Sequence, residues 1–139
     1  MRCLFAVVLM ALVSCGTTQL KPIAPTDRGM VLVMPEKGKR QVKVDTIYFG
    51  RINEGEIIKA HFTVVNHRVE PLVITDIITG CGCTTVDYDP APIATHEERT
   101  FEVRFDSKGR YGTQYKTIEV LSEDHAVGYI AFKAEVKAQ

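Results

Sequence analysis

Beyond its first 14 residues the 139-residue chain predicts an all-β fold, an antiparallel immunoglobulin-like sandwich of about seven strands. Three observations carry that expectation. Short runs alternate apolar and polar residues with the period of two that sends successive side chains to opposite faces of a sheet. Turns bearing glycine, proline or asparagine separate these runs at the roughly 8–12-residue spacing of a sandwich. No stretch sustains the 3.6-residue spacing of an amphipathic helix.

The first element in chain order is not a strand. Arg2 precedes an apolar run from Leu4 to Val13, which is shorter than the about 20 residues of a membrane-spanning helix. Its length and order match the core of a signal peptide. The end of the run, Leu12, Ser14, Cys15 and Gly16, resembles the lipobox of bacterial lipoproteins. That resemblance makes 1–14 a lipoprotein signal peptide and Cys15 the lipidated new N-terminus. A diacylglyceryl group and an N-acyl chain such as palmitate would supply the two hydrophobic signals that stable anchoring needs. Residues 15–40 then form the lipidated cysteine and a spacer, rich in proline and small residues, and 41–139 the domain. One piece fits a spacer poorly: "MVLVM", Met30 to Met34, has the character of a strand.

The strands follow in order. "QVKVDTIYFG" gives the first, with a turn at "RINEGE". "IIKAHFTVVN" places Ile58, Ala60, Phe62 and Val64 on one face and Lys59, His61 and Thr63 on the other. "NHRVEP" turns into "LVITDII", which runs into the loop "TGCGCTT". "TTVDYD" is a short strand stopped by "PAP". "RTFEVRFD" turns Phe101, Val103 and Phe105 inward, and the "SKGRYG" turn leads to "TQYKTIEVLS". Last comes "VGYIAFKAEVK", with Ile130, Phe132, Ala134 and Val136 on one face.

Composition excludes several functions. Once Arg2 leaves with the signal, 16 basic face 17 acidic side chains, a net charge of −1. Nothing in that balance favours nucleic acid. The basic run Lys37–Arg40 reads as a solvated turn. Nucleophile-elbow, phosphate-loop, dinucleotide and zinc-protease motifs are all missing. Glu97 and Glu98 are adjacent, so on a strand they point to opposite faces. The expectation is therefore no catalysis and no cofactor.

Several phrases taken together resemble a known bacterial family. "IYFGRINEGE", "FTVVN", "EPLVITDIITGCGCTT", "APIATHEERTFEVRFDSKGRYG" and "KTIEVLSED" occur in the order found in domain of unknown function 1573. The resemblance covers about Val44 to Val136, and its most specific element is Cys81-Gly82-Cys83-Thr84. Asn66, Pro71, Leu72 and the turn of Asp106, Lys108 and Gly109 match as well. It implies an Ig-like sandwich similar to major sperm protein domains, a Bacteroidetes-type lipoprotein, and no established activity. The chain departs from the family at two loops. His67 and Arg68 stand where Thr-Gly is usual, and Thr95 and His96 replace a Pro-Gly turn.

Cys3 leaves with the signal and Cys15 carries lipid, so Cys81 and Cys83 are the thiols of the mature chain. On an extended strand their Cα atoms would lie about 6.5–7 Å apart, at the limit for a disulfide. Gly82 can fold the backbone and bring them closer. A bridge here closes a very small ring, easily reduced and too short to add much stability. Free structural thiols, redox exchange, an interchain link and a soft metal, copper or zinc, stand beside it. Zinc wants four ligands, and His61 and His96 are weak candidates to complete a set. Tyr111 and Tyr115 offer either a contact surface or edge-strand packing.

The resulting expectation is a lipid-anchored envelope protein presenting an Ig-like module to another protein or a glycan, or serving structural support. Its alternative is a thiol redox or metal-binding protein. Gly16 in place of an aspartate favours the outer membrane by resemblance to sorting rules. "GTTQLK" lacks the acidic cluster of surface export, which favours the periplasmic side.

Overall fold

The computed structural model describes residues 30–41 and 44–138. Cys15, the signal peptide and the first half of the spacer lie outside the described residues. Eight strands occur within them: β1 (Met30–Val33), β2 (Asp45–Asn53), β3 (Ile57–Val65), β4 (Ile74–Thr79), β5 (Thr84–Asp87), β6 (Glu98–Asp106), β7 (Gly112–Ser122) and β8 (Val127–Lys137). They form two four-stranded sheets, one ordered β1-β3-β6-β5 and the other β2-β8-β7-β4. This is the immunoglobulin-like sandwich that the alternating runs predict.

Two findings refine that expectation. The sheets are mixed, because β1 pairs with β3 and β2 with β8 in parallel, while the other pairs are antiparallel. A parallel pair needs a crossover connection. Here β2, in the opposite sheet, provides the crossover from β1 to β3. The domain boundary also moves. Residues 30–34 are not spacer, since Met30, Leu32 and Met34 are buried in the core. The folded unit therefore includes Met30 and does not begin at residue 41.

The core lies between the sheets and is built from the inward halves of the alternating strands. Phe62 stacks on Phe101 with ring centroids 5.0 Å apart, and Phe105 meets Phe132 at 5.3 Å. All four rings are fully buried. Burying each such side chain stabilises the fold by about 1.5–3 kcal/mol. In β2 the register with β8 slips between Tyr48 and Arg51, and Gly50 sits there with φ 76°, a left-handed bulge that glycine adopts without cost. Gly128 serves another purpose. A Cβ at this position would lie 2.8 Å from the Met34 sulfur and 3.0 Å from Leu32, so its missing side chain lets β1 lie across β8.

One end of the sandwich is organised by Asn66, which is fully buried. Its side-chain nitrogen donates to the carbonyls of Glu70 (2.9 Å), Ile93 (3.0 Å) and Ala94 (3.2 Å). Its side-chain oxygen accepts from the Arg68 amide at 3.0 Å. One side chain thus ties the loops on both sides of β4 and β5 to the end of β3. Beside it, Arg68 donates to Asp124 and to the Pro35 carbonyl, linking three loops. Burial opposes ionisation of Asp124, but hydrogen bonds from Ser122 and the Ala126 amide and the Arg68 charge outweigh it. Together they hold its pKa below the usual carboxylate value.

Candidate functional site

The opposite end carries the cysteine loop, where the chain crosses from β4, an edge of one sheet, to β5, an edge of the other. The Thr84 amide donates to the Cys81 carbonyl at 3.2 Å, closing a tight turn with Gly82 and Cys83 at its centre. The Asp106 amide donates to the Cys83 carbonyl at 2.8 Å, fastening the turn to the end of β6. Cys81 and Cys83 are joined in a disulfide, with Cα atoms 5.2 Å apart. The turn achieves this approach without help from glycine's left-handed region, which Gly82 does not use. Apart from the two cysteines on either side of it, nothing lies within 4 Å of where a Gly82 Cβ would be, and the residue is exposed.

The bridge spans one intervening residue. In the chain-entropy model, closing a three-residue loop contributes about 1.6 kcal/mol, roughly half the value for a 15-residue loop. Two backbone hydrogen bonds already hold the same turn. The disulfide is therefore a minor contributor to the stability of the sandwich.

Its surroundings are polar. Both cysteines are half-buried, and Cys83 packs against the core on one side. Cys83 also lines a shallow recess with Gly82, Thr85, Arg104 and Asp106. Beneath the bridge lies Thr84, which β5 directs inward opposite Phe105 and which is 2 % exposed. Among the described residues its hydroxyl's hydrogen-bond partners are the two sulfurs, 3.7 Å away at Cys81 and 4.0 Å at Cys83. A disulfide sulfur has no proton to give, so the hydroxyl is the donor. Sequence reasoning did not single out Thr84 for this role. The available signal was a threonine next to the second cysteine, at the start of a strand where alternation turns it inward.

The two histidines offered as metal ligands go elsewhere. His61 points outward from β3, 3.7 Å from Glu102. It lies two strands across from β5 and roughly 10 Å along the sheet from the loop. The neighbouring Lys59 donates to Glu102 at 2.8 Å and, with the positive charges around it, lowers the Glu102 pKa. His96 precedes β6 at the far end of that strand, ten residues or roughly 30 Å from Asp106. Its φ is 64°, so it occupies the left-handed position of the turn. The backbone keeps the conformation that a Pro-Gly turn would supply, with histidine in the glycine's place. The structure brings neither histidine to the cysteines, and no group of three or more His, Cys, Asp or Glu among the described residues is arranged to hold a metal.

A second surface feature lies on the outer face of the β2-β8-β7-β4 sheet. Tyr48 pairs with Lys133, and Lys133 with Tyr115, so the three side chains form one row across the strands. The tyrosines are 56 % and 54 % exposed. Tyr111, at 61 %, stands just before β7. Of these three, Tyr48 escaped the sequence reading, because its register with Lys133 comes from a parallel pairing that local pattern does not reveal.

The fold resembles that of a protein of unknown function from Porphyromonas gingivalis W83, with TM-score 0.57 and 19 % identity, over 77 % of this chain and 48 % of that one. The match thus spans about half the length of the Porphyromonas protein. The secreted serine protease VesC from Vibrio cholerae matches with TM-score 0.51 and 8 % identity, over 64 % of this chain and 21 % of that one. The ASH/PapD-like domain 7 of human CEP192 matches with TM-score 0.49 and 10 % identity, over 95 % and 99 %. At these identities the likeness concerns the fold alone. No functionally curated protein matches. The model of the protein family of unknown function DUF1573 matches residues 40–136, with no catalytic family indicated, and the chain belongs to that family.

Proposed function

We propose that this chain is a lipid-anchored protein of the bacterial envelope, held at the outer membrane through Cys15 and facing the periplasm. It presents its sandwich as a non-catalytic module that binds another envelope protein or a glycan. The observation that carries the binding half of this reading is the Tyr48–Lys133–Tyr115 row, with both tyrosines more than half exposed. Tyrosine brings a large apolar ring with a polar tip, the combination enriched where proteins bind partners. Lys133 between the rings gives the face one central cation, suited to an acidic or hydroxyl-rich partner. The anchoring half rests on the order of Arg2, the apolar run, Ser14 and Cys15.

Both halves are tested in Gram-negative cells expressing the full chain. A photo-cross-linking residue is placed at Tyr115, or at Glu98 on the outer face of the other sheet. Discrete cross-linked products from position 115 and none from 98 are expected; products from both or from neither refute the binding face. In the same cells Cys15→Ser releases the protein from the membrane pellet, and retention of that variant refutes the lipid anchor.

A further inference from the structure

We propose that the Cys81–Cys83 bridge is an exchangeable disulfide, an electron acceptor for the paired thiols of another protein, with the Thr84 hydroxyl stabilising the thiolate that is released. This inference is independent of the tyrosine face and of the lipid anchor.

The bridge does little for the fold. It closes a turn that the Thr84 and Asp106 amides already fasten, and the loop it restrains is three residues long. Breaking it leaves the backbone of the turn with its own hydrogen bonds.

The second observation is the hydroxyl. Thr84 is buried, and in the oxidised protein its hydroxyl has, among the described residues, only two neutral sulfurs as acceptors, at 3.7 and 4.0 Å. Disulfide sulfur is a poor acceptor and a thiolate a strong one. The same hydroxyl is therefore poorly satisfied when the bridge is closed and well satisfied when it opens. That difference favours the reduced form and makes the disulfide the more oxidising.

The third observation is access. Cys83 lines an open recess with Gly82, Thr85, Arg104 and Asp106, and Gly82 is exposed and adds no side chain to it. Cys81 lies nearer the hydroxyl. These positions assign the order of events. An incoming thiolate attacks the Cys83 sulfur, forming a mixed disulfide as the Cys81–Cys83 bond breaks. The Cys81 sulfur leaves with the electron pair, as a thiolate accepting the Thr84 hydrogen. The partner's second thiolate then attacks the partner sulfur of the mixed disulfide and expels Cys83. The partner dithiol has lost two electrons and two protons and carries the disulfide. Cys81 and Cys83 have gained both, the protons passing through solvent.

The test equilibrates the soluble mature chain in mixtures of reduced and oxidised glutathione and counts thiols by alkylation and intact mass. The wild-type bridge is expected to open within the range of these mixtures. Thr84→Val should make it about tenfold harder to reduce, a shift of about 30 mV. Thr84→Ser, which keeps the hydroxyl, should stay within about threefold of wild type. A staple with a purely structural role would show no such difference between the valine and serine variants. Challenged with oxidised glutathione, Cys81→Ser should accumulate a mixed disulfide at Cys83 faster than Cys83→Ser does at Cys81. A bridge that stays closed in excess reduced glutathione overturns the proposal. So does a Thr84→Val potential equal to wild type, and equal trapping by the two single-cysteine variants overturns the assignment of Cys83 as the attacked sulfur.

Discussion

Replacing Asn66 with alanine removes the four hydrogen bonds its side chain makes at the organised end of the sandwich. The amide nitrogen lost is a donor to the Glu70, Ile93 and Ala94 carbonyls, and the oxygen is an acceptor for the Arg68 amide. These losses are unequal. The Ile93 carbonyl keeps the Leu72 amide and the Ala94 carbonyl keeps that of Glu97, so each retains one partner. The Arg68 N–H loses the acceptor it has, in a half-buried place, a cost of about 1–3 kcal/mol. The Glu70 carbonyl adds about 1 kcal/mol, and the space left in a fully buried position adds about as much again. Asn66→Ala should therefore destabilise the domain by roughly 3–5 kcal/mol, a large part of a typical 5–15 kcal/mol. Urea unfolding followed by far-ultraviolet circular dichroism, since the chain has no tryptophan, should show a midpoint lower by roughly 2 M. Asn66→Asp sharpens the test. A carboxylate would face three carbonyls in a buried site, which raises its pKa above the unfolded value. That variant should be most stable below about pH 4 and lose stability as pH rises through the raised folded pKa. A loss under about 1 kcal/mol in Asn66→Ala, or an Asn66→Asp variant indifferent to pH, would refute the account of Asn66 as the tie between these loops.

Three further outcomes follow from positions described above. His96→Gly should raise stability by roughly 0.5–1 kcal/mol in the same urea assay, because glycine holds the left-handed conformation without the side-chain penalty. Gly128→Ala should cost about 1–3 kcal/mol by pushing Met34 and Leu32 off β8, and faster amide exchange in β1 than in β2 would locate the damage. The depressed pKa of Asp124 contributes stability above the ordinary carboxylate value that is lost as pH falls through the lower folded one. Asp124→Asn should flatten that acid limb of the stability curve and leave the curve's shape above about pH 5 unchanged.

Strands with strict alternation are legible in the sequence alone. β3, β6 and β8 each place the residues assigned inward from their sequence in the core. β1 was only half legible, because five apolar residues in a row among prolines carry no period and their partners lie 32 residues further along the chain. The parallel pairings were not legible for a related reason: register between distant strands is set by packing across the sandwich and leaves no local mark. At the cysteine loop the spacing raised the alternatives, while the choice among them depended on a turn whose hydrogen bonds reach β6. Thr84 became visible only once burial showed that its hydroxyl has sulfur for company. His96 shows the reverse case. Its sequence signal was the glycine missing from a turn, and reading it as a candidate ligand attended to the imidazole where the backbone was the point.

The route of residues 30–53 has a mechanical consequence. This one segment supplies an edge strand to each sheet, β1 to the first and β2 to the second, both in parallel register with their neighbours. Any pull arriving from the N-terminal side meets two clasps in series. The first is four residues long and is seated by Met30, Leu32 and Met34; the second pairs with β8 from Ile130 to Lys137. With four paired residues against seven, β1 is expected to come away from β3 under such a load before β2 comes away from β8.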